Sequence, residues 1–328
     1  MTVSATSSAG AARAIGQPRL SRGGAFGLLV LANALWAGTY TAGKIALSQL
    51  SPVELNAVRF SLATLMLAPV LVRGWRQIPR DRATLVKLGQ LTLLGFVLNK
   101  AFEYFGLNLS TASDVALLIA TESIFTALLS WTFLRERVSG SGVAALALGL
   151  FGAYLIVERG FLPNLGGGGN ETARIAGDLL VVLSLFLEAG YTVRGKTALA
   201  SMPPLLFTAT TLAGSLFVWL PAGAVAVAQS GWPHVTLAGW LAVLYMAAIA
   251  TVAGYWLWFR ALTRLDASAA APTLFIQPLL GAALAIWLLH DRLTWATLLG
   301  GALIGASLLL VVRSSRQPSA PPIAIEAP

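Results

Sequence analysis

Residues 36–44 read WAGTYTAGK, and residues 188–196 read EAGYTVRGK. Ala37, Gly38, Gly43, Lys44, Ala46, Leu47 and Pro52 return as Ala189, Gly190, Gly195, Lys196, Ala198, Leu199 and Pro204, each 152 positions on. A second echo, at a separation of 155, pairs Ala112-Ser113 with Ala267-Ser268 and Glu136-Arg137 with Asp291-Arg292. Two landmarks recurring in the same order over halves of about 150 residues predict one structural unit used twice.

The surroundings of these stretches decide what the unit is. Only 11% of the 328 residues are charged while 57% are hydrophobic, a balance that a soluble surface does not tolerate. The chain therefore reads as an all-α integral membrane protein whose first partner is the lipid bilayer. It has no cysteine and two histidines, His234 and His290, so neither a disulfide framework nor a thiolate or histidine metal site is expected.

A bilayer core of about 30 Å takes roughly 20 apolar residues per helix. Counting at that length predicts ten transmembrane helices, at 26–48, 53–73, 85–107, 112–134, 142–159, 176–199, 203–229, 235–263, 268–290 and 294–312. Residues 1–25 read as a cytoplasmic tail without a removable signal peptide, 26–159 as the first repeat, 160–175 as a Gly-rich periplasmic linker, 176–312 as the second repeat and 313–328 as a disordered tail.

With the N-terminus placed inside and the sides alternated, sixteen of the 22 Lys and Arg residues fall on the cytoplasmic side. Lys44, Arg159, Arg174 and Arg292 fall outside, and Arg59 and Lys100 lie within helices. The net charge of +9 is thus a positive-inside bias, which calls for no nucleic acid and places both termini in the cytoplasm. Five helices per repeat is an odd number, so the second repeat enters the membrane in the opposite sense and the two are inverted repeats. Lys44 is then expected on the outer side and Lys196 on the inner.

The Trp36 and Gly38 pair, Pro52 followed by Arg59-Phe60, the Ala-Ser entry to the fourth and ninth helices, Gln277-Pro278, and the acidic-Arg pair closing each hairpin form a set. Over residues 26–312 this set resembles the EamA-type carriers of the drug/metabolite transporter superfamily, which include bacterial aromatic amino acid exporters. The resemblance implies a cofactor-free carrier of the bacterial inner membrane that exports amino acids or other small metabolites. The chain departs from symmetry at Glu122-Ser123, where the ninth helix has Gln277-Pro278, and at Glu188, where the first half has Trp36.

A charge at mid-bilayer costs several kcal/mol, so each ionisable residue inside a helix is a candidate. Glu122 and Glu188 fall near the midplane by count, and with Trp36, Tyr40, Tyr191 and Gln277 they are the expected substrate-binding residues. Lys100 and Glu103 are spaced to pair on one helix with Asn99 and Tyr104, as a bridge or an outer gate, and Arg59 is placed to snorkel toward the interface. Gly38, Gly43, Gly190 and Gly195 allow close helix approach or bending, and Pro278 is expected to interrupt the ninth helix at mid-membrane.

The expected function is a secondary carrier exporting amino acids with aromatic or other apolar side chains, by alternating access, with protons as an open coupling partner. A multidrug exporter on the same fold is the alternative. An enzyme is not expected, because neither G-x-S-x-G nor H-E-x-x-H occurs.

Overall fold

The fold comes from a computed structural model that describes residues 20–110, 112–136, 139–158, 171–280 and 294–314. These residues are helical throughout, with no strand among them. The helices are α1 (Arg22–Leu47), α2 (Pro52–Gln77), α3 (Arg82–Leu109), α4 (Ala112–Leu134), α5 (Gly140–Glu158), α6 (Glu171–Ala198), α7 (Pro204–Ser230), α8 (Leu237–Leu262), α9 (Ala267–Leu280) and α10 (Trp295–Ser314). Six of them, α1, α2, α3, α6, α7 and α8, are long and apolar enough to cross a membrane, and the others hold shorter apolar helical stretches.

Local sequence sets the helix starts. Ser51 and Glu54 form a reciprocal capping box at α2 with Pro52 in the first turn, Asp81 accepts from the Thr84 N–H at α3, and Thr236 accepts from Gly239 at α8. Two expected boundaries need correction. Helix α6 begins at Glu171 rather than 176, and α10 runs through Ser314 into the expected tail, because polar terminal turns carry no apolar signal for a count to find. The expected linker from 160 to 170, the second half of the ninth helix and the chain ends lie outside the described residues.

Packing pairs α2 with α7, α5 with α10, α3 with α6, α1 with α8 and α4 with both α6 and α9. Where α3 meets α6 the backbones nearly touch: a Cβ on Gly106 would lie 2.7 Å from the Gly177 carbonyl oxygen, and one on Gly177 would lie 2.8 Å from that of Gly106. The largest buried cluster draws mainly on α1, α2, α3, α6, α7, α8 and α9, while the outward faces expose Leu65, Val72, Phe133 and Phe217, as suits contact with lipid.

Four helices are irregular at depth, α1 among them with a break between Trp36 and Thr39. Helix α3 has a π-helical stretch, Leu93–Leu98, and α8 has one at Tyr245–Gly254. Residues 93–98 map onto 248–253 at the 155-residue separation of the second echo, inside the α8 stretch. In α9 the irregularity is a 3₁₀ turn, Ala271–Phe275, entered through Pro272. The expected interruption at Pro278 is therefore displaced upstream, and residues 276–280 return to α-helix. Helix α4 is continuous at the equivalent positions.

Candidate functional site

The first quoted stretch forms a break in α1, whose α-helical parts are Arg22–Trp36 and Thr39–Leu47. The break leaves the Leu35 carbonyl available, and the Tyr245 hydroxyl donates to it at 2.5 Å. Gly38 makes that approach possible, since a Cβ there would stand 2.7 Å from the Tyr245 oxygen. The π stretch of α8 has a matching cap: the Trp36 indole N–H donates to the Ala250 carbonyl at 2.8 Å. In α3 the Phe96 carbonyl accepts from the Trp219 indole at 2.7 Å. Both π turns thus have a carbonyl satisfied by a tryptophan from another helix, which meets the requirement that no backbone group stay unpaired in hydrocarbon.

These irregular turns surround a buried cavity. It is lined by Trp36, Thr39 and Tyr40 from α1, Arg59 from α2, Asn99, Lys100 and Glu103 from α3, Glu122 from α4, Ser184, Leu185, Glu188 and Thr192 from α6, Tyr255 and Trp258 from α8, and Gln277 from α9. Its free space is about 50 Å³, enough for a few waters.

One wall is a closed charge network. The Lys100 ammonium lies 2.5 Å from the Glu103 carboxylate and 3.1 Å from that of Glu188. Glu188 also accepts from the Asn99 amide at 2.6 Å and from the Tyr255 hydroxyl at 3.0 Å. The Lys100–Glu103 bridge expected within α3 is thus one arm of a bridge from α3 to α6. Lys100 has two carboxylate partners and Glu188 has polar partners from two further residues, which is what holds a buried ionic contact in place.

Arg59, Glu122 and Gln277, on the same cavity, are held differently. Arg59 is 2% exposed, so it does not snorkel; it donates to the Thr251 hydroxyl at 3.0 Å and to the Tyr104 hydroxyl at 2.5 Å, and has no carboxylate partner among the described residues. Glu122 is 7% exposed and has no hydrogen-bond or ion-pair partner among the described residues. Gln277 donates to Asn33, which in turn donates to Thr273 and to the Leu29 carbonyl, tying α1 to the 3₁₀ turn of α9. Ser123 of α4 donates to the Ala271 carbonyl in the same turn.

The structure therefore brings Trp36, Tyr40, Arg59, Asn99, Lys100, Glu103, Glu122, Glu188 and Gln277 to one place. Tyr104 reaches it through Arg59. Tyr191 does not line the cavity: its ring packs against Phe207 at 5.6 Å, and its hydroxyl shares a hydrogen bond with Thr211. Gly43 and Gly195 sit where a Cβ would crowd Leu107 and Phe259, but at Gly190 a Cβ would meet nothing within 4 Å, so that residue marks no close approach. Asn33 and Thr251 complete the site and carry no sequence signal, while Tyr255 and Trp258, aromatic residues at the depth of the site and three apart on one helix face, line it as well.

Ionic and polar contacts also close the two ends of α4. Beyond its C-terminus Arg135 takes φ 54° and turns the chain so that Glu136 accepts from the Ala267 and Ser268 N–H groups at the start of α9. Lys196 lies 2.7 Å from Glu136 and 3.2 Å from Asp266. At the other end Lys44 donates to the Ser110 carbonyl at 2.7 Å, and the Ser110 hydroxyl bonds to Asp178.

An all-helical bundle with a charged cavity at its centre suits a membrane transporter, and comparison with known proteins agrees. The chain belongs to the EamA-like transporter family, whose model matches residues 24–158 and again 175–313. An uncharacterized transporter of Archaeoglobus fulgidus is 30% identical over 298 residues, covering 88% of this chain and 98% of its own length. A probable amino-acid metabolite efflux pump of Escherichia coli is 24% identical over 293 residues, covering 87% of this chain and 93% of its own. A solved crystal structure at 20% identity superposes with a TM-score of 0.71, over 90% of this chain and all of the other, and shares its fold. The protein is a multi-pass membrane protein of a transporter family.

Proposed function

We propose that this chain is a secondary carrier exporting amino acids with aromatic or other apolar side chains across the bacterial inner membrane by alternating access. The observation that carries the reading is the pair of buried ionisable side chains of opposite kind on one cavity: Arg59 without a carboxylate contact and Glu122 without an ion-pair contact among the described residues. Burying such groups costs several kcal/mol each unless a ligand completes them. A zwitterion does so with its carboxylate at Arg59 and its ammonium at Glu122, while Trp36, Tyr40, Tyr255 and Trp258 supply aromatic faces for an apolar side chain. The name of the E. coli relative supports an amino-acid-derived substrate. A cationic drug would leave the Arg59 guanidinium facing a like charge, which weighs against the multidrug alternative.

A free space of about 50 Å³ is too small for such a molecule, since small-molecule pockets run from roughly 300 Å³ upward, so loading requires the helices to part. Lys196 with Glu136 and Asp266 holds one end of α4, and Lys44 with Ser110 holds the other; alternating access opens them in turn. The double family match and helix pairings that are unchanged when α1–α5 are exchanged with α6–α10 support two inverted five-helix repeats, ten spans in all.

Cells overproducing the protein should accumulate less labelled phenylalanine and tryptophan than control cells and should resist toxic analogues of both. Unchanged accumulation together with resistance to unrelated cationic drugs would overturn the assignment in favour of a multidrug carrier.

A further inference from the structure

A second concavity lies away from the central site, between α3 and α7, with a volume of about 810 Å³. Gly89, Leu93 and Val97 of α3 face Thr210, Gly214 and Phe217 of α7 across it, and Trp75 and Arg80 stand at one end. Its sides are mostly apolar, and the one charged residue lining it is the basic Arg80. The Arg80 guanidinium lies 5.3 Å from the centre of the Trp75 ring, and Arg73, Arg76 and Arg82 are exposed nearby in the sequence. Asp81, an acidic residue at this rim, has its carboxylate engaged as the cap of α3, accepting from Thr84 at 2.9 Å. The stretch from Leu85 to Val97 rises about 18 Å, close to the roughly 15 Å of hydrocarbon in one leaflet.

We infer that this groove is a binding site for an anionic phospholipid, with the phosphate at Arg80 and one acyl chain between α3 and α7. Charge complementarity commits the site to that occupant: Arg80, whose guanidinium sits over Trp75 at the end of a leaflet-length, mostly apolar slot, matches an anionic headgroup with its chain, and a neutral lipid leaves that guanidinium unanswered. A bare phosphate would leave the slot empty. Gly89 keeps the slot open, since nothing stands within 4 Å of where its Cβ would be. The acyl chain would lie along the π turn of α3 as far as Val97, two residues before Asn99, whose amide holds Glu188.

The test uses the full-length protein purified in mild detergent, with dioleoyl phosphatidylglycerol or dioleoyl phosphatidylcholine added, and reads retained lipid by native mass spectrometry and thermal stability in parallel. Wild type should retain the anionic lipid in preference and be stabilised by it. Arg80→Gln should weaken that retention about fivefold, the value of one basic residue at an anionic surface, without changing stability in lipid-free detergent. Gly89→Phe fills the slot and should abolish retention while the protein stays folded. Equal retention of both lipids, an unaltered Gly89→Phe variant, or a dimer that Gly89→Phe dissolves would each overturn the inference, the last because the groove would then hold a second copy.

Discussion

Lys44 and Lys196 are the same residue in two copies of one stretch, and they do different things. Lys44 meets a backbone carbonyl, Ser110, with one hydrogen bond. Lys196 meets two carboxylates, one of which also caps the start of α9. At the Ser110 end the further contact is a hydroxyl bonded to Asp178, with no ion pair among the described residues, and a network of ion pairs resists opening more than these two hydrogen bonds do. The end of α4 at Glu136 is therefore the more firmly closed, and opening should begin at the end near Ser110.

The largest expected effect comes from Glu136→Ala, which removes the Lys196 partner and two capping contacts on α9 together. It should cost about 2 kcal/mol, read as lowered thermal stability in detergent, and should raise labelling of a cysteine placed at Gln277 from the Glu136 side. Lys196→Met should do less, because Glu136 keeps its two backbone donors. Lys44→Met should have the smallest effect, below about 1 kcal/mol, since one bond from a half-exposed lysine is lost. Labelling is clean because the chain has no native cysteine. If Lys44→Met destabilises the protein as much as Glu136→Ala, the two ends are equally strong and neither opens first.

How much of this was legible in the sequence depends on what each signal costs. Arg59, Lys100, Glu103, Glu122 and Glu188 stood out because charge inside an apolar run is expensive, and all five line the cavity. The echo picked out Lys44 and Lys196 before any contact was known. Tyr191 was chosen from the same echo and lies in packing instead, because a repeat transfers position along a helix but not the neighbours around it. The π turns were not legible, since they use the same apolar residues as an α-helix. Each residue they add rotates the remainder of the helix by about 100°, so a count along α8 gives the depth of Tyr255 and Trp258 but not the face they occupy. Trp36 was read as a face for substrate, and its indole N–H proves to be a cap for a π turn that the sequence did not announce.

The charged residues of the cavity differ in the same way as the two ends of α4. Lys100 bridges Glu103 and Glu188, whereas Arg59 has no carboxylate partner and Glu122 no ion-pair partner among the described residues, and the proposed zwitterion would complete both. Counterflow in proteoliposomes decides whether they receive one, with unlabelled phenylalanine inside and labelled phenylalanine outside. Wild type should concentrate label transiently, Arg59→Gln and Glu122→Gln should each lower the rate at least tenfold, and both variants should remain folded by thermal unfolding. Full counterflow by both variants, or none by wild type with any apolar amino acid, would contradict a zwitterion held between these two charges.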